Sequence, residues 1–198
     1  MFILASSSVY RLKQLHQLGI FPETRSPDID ETPLENESPK FLAERLALKK
    51  ASKVEQQLKD ETFRYIIGSD QVASFDDTIL GKPVTKQRAE EQLKICSGKH
   101  VNFYTTVCLI DRKNNQNYQY TDTTTVKFRS LSIIEINQYI EAESPLDCAG
   151  SFKCEGLGIS LFEAIKTEDP SALIGLPLIG LNSLLLESGF NCILTKPQ

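Results

Sequence analysis

The sequence has few of the residues from which metal centres and nucleophilic sites are commonly built. It contains no tryptophan, two histidines and five cysteines, and no two cysteines form a Cys-x-x-Cys pair. This inventory excludes a zinc quartet, and an odd number of scattered cysteines is typical of free thiols in a reducing compartment. His16 falls inside a predicted helix and His100 at the start of a predicted strand, so we do not expect histidine-based catalysis.

Three common nucleotide-binding and hydrolase motifs are also missing. The chain has no Gly-x-x-x-x-Gly-Lys-Ser/Thr phosphate loop, no Gly-x-Gly-x-x-Gly after a strand and no Gly-x-Ser-x-Gly elbow. These absences argue against a P-loop nucleotidase, a dinucleotide-binding enzyme and an α/β-hydrolase. Any chemistry must therefore come from carboxylates, hydroxyls and cationic side chains.

An excess of positive charge and a long hydrophobic run are absent as well. The formal net charge is −4, which argues against duplex DNA or an anionic membrane as the main partner. The longest apolar stretch, 173–186, is broken by glycine, proline and asparagine and falls short of the roughly 20 residues that a membrane span needs. The first apolar residues are too few for a signal peptide. We therefore predict a cytoplasmic protein with neither a nucleic-acid nor a membrane partner.

What is present is an alternation of helical and strand periods, which predicts a mixed α/β (α+β) chain in one domain over residues 1–198. Apolar residues make up 40% and charged residues 24%, as in ordinary globular domains. Capping patterns predict helices that begin after Ser8, Ser38, Thr85 and Ser132 and at Pro177. Strands are expected at 2–5, 65–68, 99–111 and 117–129, the second of them ending at Ser69-Asp70.

Three serines between the first strand and the first helix are a candidate phosphate site. Ser6, Ser7 and Ser8 precede the helix N-terminus, and Arg11 follows one turn later. Hydroxyl groups, free backbone N–H groups and the positive end of the helix dipole favour a phosphate there. The alternative is that Ser8 is only the N-cap of the helix.

Charged residues at predicted turns and on one helix form a second candidate group. The acidic run Asp28-Ile29-Asp30-Glu31 either holds Mg²⁺ or forms a solvated turn. Asp70 is placed where catalytic groups often lie, at the end of a strand, but could equally be a turn or N-cap residue. Lys82 is held in a Gly-Lys-Pro turn and is otherwise an exposed loop lysine, while Lys50 has a solvated helix face as its default interpretation.

The order of the motifs is more specific than any one of them. Along nearly the whole chain run Leu4-Ala5-Ser6-Ser7-Ser8-x-x-Arg11, Asp30-Glu31-Thr32, Lys50-Ala51, Ile66-Ile67-Gly68-Ser69-Asp70-Gln71, Gly81-Lys82-Pro83, Ser97-Gly98, Val126-x-Phe128-Arg129, Ala149-Gly150-Ser151 and Gly175-Leu176-Pro177-Leu178. In this order they resemble the Maf family of nucleoside triphosphate pyrophosphatases. The resemblance implies a two-lobed, inosine-triphosphatase-like fold with a mixed twisted sheet, flanking helices and a central cleft. It also implies hydrolysis of the α–β phosphoanhydride with a divalent cation, Mg²⁺ or Mn²⁺, as cofactor.

The resemblance assigns roles to individual residues. The catalytic group consists of Asp70 as the proton acceptor, Lys82 and Glu31, and the metal ligands are Glu31 and Asp70. The substrate-binding group consists of Ser6, Ser8, Arg11, Lys50 and Ser151. The base-reading group consists of Tyr10, Gln71 and Glu155.

Within the family, the segment Ser151-Phe152-Lys153-Cys154-Glu155-Gly156 is similar to the 7-methyl-GTP pyrophosphatase branch. The dTTP/UTP branch has a glutamine-containing segment where Glu155 stands. Two positions depart from the pattern, because Val9 replaces a usual proline and Tyr10 a frequent tryptophan. The same chemistry on dTTP, UTP or another modified nucleotide stays open, as does a low-turnover nucleotide-binding regulator of septum formation. A homodimer is also left open.

Overall fold

The computed structural model describes residues 1–59, 62–76 and 78–194, and within these ranges seven strands form one sheet. The strands are β1 (Phe2–Leu4), β2 (Glu23–Thr24), β3 (Tyr65–Phe75), β4 (Thr78–Leu80), β5 (His100–Asp111), β6 (Gln116–Phe128) and β7 (Phe162–Lys166). The helices are α1 (Val9–Gln17), α2 (Pro39–Gln57), α3 (Lys86–Cys96), α4 (Ile133–Glu143) and α5 (Leu178–Glu187). Three short 3₁₀ turns lie at Ala149–Ser151, Leu157–Leu161 and Ala172–Ile174.

The sheet is mixed. Its order is β2-β1-β3-β5-β6-β7, with β4 hydrogen-bonded to β3. The β1–β2 and β1–β3 pairs are parallel, whereas β3–β4, β3–β5, β5–β6 and β6–β7 are antiparallel. The predicted mixed α/β class, with helices flanking a mixed sheet, is confirmed.

The helices begin at the predicted capping residues, because these caps depend on local chemistry only. The hydroxyls of Ser38 and Thr85 accept the N–H groups of the third residues after them, and Ser132 forms a reciprocal capping box with Glu135. The last helix follows Pro177, as expected. Among the described residues, no helix is long and apolar enough to cross a membrane.

Strand β3 is longer than predicted. It was expected to end at Ser69-Asp70, but it continues to Phe75, so Asp70 lies inside the strand. The reason is its partner, since β3 pairs with β5 from Tyr65 to Ser74 and this ladder outweighs the local polar punctuation. Strand β1 ends earlier, at Leu4, so the edge of β3 around Asp70 has no parallel neighbour, and Asp70 and Gln71 line a cleft there.

Apolar side chains of the strands alternate between two faces of the sheet. On one face Ile3, Ile66 and Cys108 pack against α2, and on the other Leu4 and Leu109 pack with α1 and α5. The far ends of β5 and β6 belong to another hydrophobic cluster, which they share with α3 and α4. The long β5–β6 hairpin therefore contributes to two packed regions, one formed with α1, α2 and α5 and the other formed with α3 and α4. The cleft lies between these two regions.

Candidate active site

A cleft of about 930 Å³ lies beyond the end of β1. Its walls are the β1–α1 connection, the segment around Glu31, the Gly81-Lys82 turn and the segment from Asp147 to Glu155. Its floor includes Asp70 and Lys50. Ten of the eleven side chains predicted as site residues line this cleft: Ser6, Ser8, Tyr10, Arg11, Glu31, Lys50, Asp70, Gln71, Lys82 and Glu155.

A buried lysine joins two carboxylates at the floor of the cleft. Nζ of Lys50 lies 2.5 Å from Oδ1 of Asp70 and 2.7 Å from Oε1 of Glu31. Lys50 and Asp70 are both buried, whereas the Glu31 side chain is 48% exposed. The default interpretation of Lys50 as a solvated helix lysine is therefore wrong.

The position of Lys50 depends on a close approach of α2 to β3. A side chain at Gly68 would overlap the backbone of Ala47 and Ala51 in α2, so only glycine lets the helix lie this close to the strand. Lys50 is on this helix and Asp70 is two residues beyond Gly68 on the strand. The helix–strand contact therefore brings ammonium and carboxylate together.

The two carboxylates titrate in opposite directions from their usual values. Burial raises the pKa of Asp70, although the positive charges of Lys50 and Arg11 oppose the shift. Burial also acts to raise the pKa of Glu31, but the hydrogen bond and charge of Lys50, aided by Lys82 and Arg11, outweigh it and the pKa is lowered. One ammonium therefore lies between a carboxyl group whose pKa is raised and another whose pKa is lowered.

The serine segment combines a helix cap with a cationic anchor. Oγ of Ser8 accepts the N–H of Arg11 at 3.4 Å, so Ser8 does cap α1, and it also lines the cleft. Arg11 donates from Nε to the carbonyl of Gly175 at 2.8 Å and from Nη1 to Oγ of Ser6 at 3.4 Å. Burial lowers the pKa of this guanidinium, while Asp70 and Glu31 act in the opposite sense.

Lys82 lines the cleft at the Gly81-Lys82 turn. Its side chain is exposed, and among the described residues it forms no hydrogen bond or ion pair. Pro83 behind it is buried and fixes the turn. The ammonium is therefore available to an anion, which its sequence context predicted.

Tyr10 lies among charged groups, at the end of the cleft where we expect the nucleotide base. The pKa of Tyr10 is raised, chiefly by burial; the positive charge of Lys153 opposes this shift, whereas Cys148, Glu155 and Asp147 add to it. Two carboxylates are therefore near this ring. Asp147 also lines the cleft. It was not predicted as a site residue, although it stands four residues before Ser151, which was.

Gln71 also lines the cleft, but its amide nitrogen is fully engaged. Nε2 donates to Oγ1 of Thr105 at 2.9 Å and to the carbonyls of Ala172 and Leu173 at 3.0 and 3.2 Å. The carbonyl oxygen Oε1 is the atom left for another partner. Any reading of a base by Gln71 would therefore use an acceptor.

Ser151 does not reach the cleft, and the prediction that placed it there needs correction. Its side chain is buried, and its hydroxyl donates to Oε1 of Gln92 at 2.5 Å. Gly150 and Ser151 both have positive φ, at 72° and 61°, and this turn directs the serine inward. We therefore assign no substrate contact to Ser151.

The carboxylates of the acidic run 28–31 make different contacts. Oδ1 of Asp30 accepts the N–H of Thr32 at 2.9 Å in a local turn, and only Glu31 contacts Lys50. Within the described ranges no three His, Cys, Asp or Glu side chains are grouped to hold a metal. Glu31 and Asp70 remain as a two-carboxylate set joined through one ammonium.

Comparison with known proteins gives consistent matches. A family model described as "Maf-like protein" matches residues 1–188. The chain is 50% identical over 188 residues to a protein of Xanthomonas axonopodis pv. citri (strain 306) named "7-methyl-GTP pyrophosphatase", covering 95% of this chain and 96% of that one. Proteins of the same name from Saccharophagus degradans and Vibrio cholerae are 50% and 48% identical over 191 residues, with 96% of this chain and 95% and 97% of theirs covered.

A more distant likeness is to a solved structure, that of the Staphylococcus aureus Ham1 protein. It has 13% sequence identity and a TM-score of 0.45, and the match covers 64% of this chain and 71% of that one.

Proposed function

The chain belongs to the Maf family, and we propose that it hydrolyses the α–β phosphoanhydride of 7-methyl-GTP to 7-methyl-GMP and pyrophosphate. The observation that carries this proposal is the buried Lys50 bridge between Asp70 and Glu31 in a cleft that Arg11 and Lys82 also line. The names of relatives about 50% identical over almost their whole length supply the substrate.

The cations account for binding of the triphosphate. A nucleoside triphosphate brings about four negative charges into the cleft, and these must be compensated before a nucleophile can approach. Lys82 has no other ion-pair partner among the described residues, and Arg11 is held rigidly by Gly175 and Ser6. Lys50 sits deepest, between the two carboxylates. We assign Arg11 and Lys82 to the phosphates, with Ser6 and Ser8 supplying hydroxyls beside Arg11.

Asp70 is assigned as the general base. Water attacks the α-phosphorus, its proton passes to a carboxylate oxygen of Asp70, and the bond from the α-phosphorus to the bridging oxygen breaks as pyrophosphate leaves. A base is most effective when its pKa approaches the working pH, and burial raises the pKa of Asp70 in that direction. Lys50 holds Oδ1 in place, so the other carboxylate oxygen faces the water.

The cofactor we propose is Mg²⁺ or Mn²⁺, held by Glu31 and Asp70. The donor set fits, because Mg²⁺ is commonly bound through one or two carboxylates together with waters and substrate phosphates. Both carboxylates contact the same ammonium and are therefore close to each other. When bound, the cation supplies charge compensation for the phosphate oxygens. Removal of the cation with a chelator is expected to abolish turnover, and Glu31→Gln to raise the cation concentration needed to restore it.

The base is assigned to Tyr10 and Glu155. A 7-methylguanine ring is cationic, and a cation over an aromatic face gains roughly 0.5–2 kcal/mol. The Glu155 carboxylate can accept the N1–H and N2–H₂ donors of guanine, which uracil and thymine do not offer together. Asp147 adds a second negative charge near Tyr10. A cationic base is therefore favoured over a neutral one.

Hydrolysis in ¹⁸O-labelled water tests the proposed bond cleavage. Attack at the α-phosphorus places the label in 7-methyl-GMP, whereas attack at the β-phosphorus places it in pyrophosphate. Release of inorganic phosphate and 7-methyl-GDP would contradict the proposal. A low-turnover regulator would bind the nucleotide without releasing pyrophosphate, but such a protein has no need of a base like Asp70. The single domain, the homodimer and the cytoplasmic location stay predictions.

A further inference from the structure

The backbone segment 171–176, here called the carbonyl loop, receives side chains from both elements that form the active cleft. The carbonyl oxygen of Gly175 accepts Nε of Arg11 at 2.8 Å and Oγ of Ser69 at 3.0 Å. Arg11 is on α1 and Ser69 is next to Asp70 on β3. One backbone oxygen thus links the phosphate-binding helix to the catalytic strand.

The same loop holds the amide of Gln71. Its Nε2 donates to the carbonyls of Ala172 and Leu173, and its one other hydrogen-bond partner in the described part of the chain is Thr105 on the neighbouring strand. Since the amide nitrogen is fixed in this way, the loop also limits where Oε1 of this cleft-lining side chain can lie.

A third side chain, Gln14, fastens the loop to α1 one turn after Arg11. Its Nε2 donates to the carbonyls of Ser171 and Leu176 at 2.8 and 3.0 Å. Gln14 is buried, and its Oε1 has no hydrogen-bond partner among the described residues. Burying an acceptor without a partner costs free energy of folding. The two hydrogen bonds to the loop are the polar contacts that hold this side chain in place.

One buried carboxylate contacts both the start of the carbonyl loop and the start of α5, which follows the loop. Oδ1 of Asp169 accepts the N–H of Ser171 at 3.1 Å and its hydroxyl at 2.5 Å, and Oδ2 accepts the N–H groups of Ile179 and Gly180 at 2.7 and 3.1 Å. The side chain is fully buried at the N-terminus of α5, where a negative charge is favoured. A single residue therefore ties the start of the loop to the first turn of α5, the helix that follows the loop.

We propose that Asp169 is a positioning residue, whose carboxylate holds the carbonyl loop where it aims Arg11 at the phosphates and Gln71 at the base. Asp169 is not among the residues that line the cleft. The inference rests on the proposed function for the roles of Arg11 and Gln71. It goes beyond that function because it assigns the geometry of both contacts to a residue outside the cleft.

The variant Asp169→Asn tests this inference. The amide keeps the shape, removes the charge and points an N–H₂ group at backbone N–H donors, so the start of the loop is no longer held to the start of α5. We expect kcat/KM for 7-methyl-GTP to fall by at least about tenfold. The matched control is Asp111→Asn, because Asp111 is also fully buried and hydrogen-bonded but lies at the β5–β6 turn, outside the cleft lining. That variant should lose stability while kcat/KM stays within about twofold of wild type.

A double-mutant cycle with Arg11→Ala separates positioning from general destabilisation. If Asp169 acts through Arg11, the loss in the double variant is smaller than the product of the single losses by at least about threefold. Losses that multiply within about twofold would overturn the inference. Where Asp169→Asn fails to fold, Gln14→Met takes its place in the cycle, since it removes two donors to the loop and fills the same volume.

The cycle is read in two ways. Besides turnover, the Kd of 7-methyl-GTP is measured by calorimetry for each variant. If the wild type releases no pyrophosphate, the proposed function fails, and the binding cycle still decides the role of Asp169. If the wild type is active and the cycle is multiplicative in both readouts, only the positioning role fails.

Discussion

Lys50 and Asp70 form a buried ion pair, with Nζ 2.5 Å from Oδ1, at the place where β1 ends and the edge of β3 opens into the cleft. The pair exists because Gly68 lets α2 approach β3 without a side chain between them. The same ammonium contacts Glu31, so one cation orders both carboxylates of the site.

The first prediction concerns the general base. Asp70→Asn keeps the hydrogen-bonding shape but cannot accept the proton of the attacking water. Turnover should fall by at least about 100-fold, since general-base catalysis is typically worth 10²–10⁴. Circular dichroism and thermal unfolding check that the fold is kept. Near-normal, metal-dependent activity in this variant would show that another group accepts the proton.

The second prediction concerns the phosphates. Arg11→Ala and Lys82→Ala remove the cations that we assign to the phosphates and not to the base, so kcat/KM should fall by a similar factor for every nucleotide. Lys94→Ala is a suitable control, because Lys94 is an exposed lysine on α3 paired with Glu90 and lies outside the cleft lining. A change in base preference caused by either cleft variant would contradict the assignment to the phosphates.

The third prediction concerns pH. Burial raises the pKa of Asp70, and Lys50 is the largest influence that lowers it. Lys50→Met removes the lowering charge, so the pKa of Asp70 rises further and a smaller fraction is ionised at any given acidic pH. The acidic limb of the kcat/KM profile should therefore move to higher pH, whatever the loss in maximal rate. A limb that stays in place, or moves to lower pH, would mean that Asp70 does not control it.

The fourth prediction concerns the base. Glu155→Gln retains one acceptor oxygen but loses its charge and adds an N–H₂ group facing the donors of guanine. A charged hydrogen bond is worth roughly 1.5–3 kcal/mol, so kcat/KM for 7-methyl-GTP should fall about tenfold or more. UTP and dTTP should lose little. Tyr10→Ala should act in the same direction by a smaller factor. Equal losses on all nucleotides would mean that these residues only shape the pocket.

Features with a local physical cause could be predicted from the sequence. Ser38, Thr85 and Ser132 cap their helices as expected, because a cap needs only a hydroxyl and the next turn of backbone. The length of β3 could not be predicted, since its second half, from Asp70 to Ser74, is stabilised by pairing with β5 far along the chain.

The candidate site was predictable in its members more than in its contacts. The resemblance named Lys50, Asp70 and Glu31, but the bridge between them depends on the packing of α2 against β3. The spacing of residues in the sequence does not predict this packing. Ser151 was predicted as a site residue from a family motif. In the structure it lies next to Gln92 and away from the cleft. The carbonyl loop was missed because its contacts use backbone oxygens, which every residue carries.

The most direct test of the account is the rate of pyrophosphate release by the wild-type protein from 7-methyl-GTP, GTP, UTP and dTTP, measured side by side with Mg²⁺ or Mn²⁺. We expect the highest kcat/KM for 7-methyl-GTP, with GTP below it because it lacks the positive charge on the ring, and UTP and dTTP lower still. A preference for UTP or dTTP would contradict the assignment of Tyr10 and Glu155 to the base. Absence of pyrophosphate release from all four would contradict the proposed function itself.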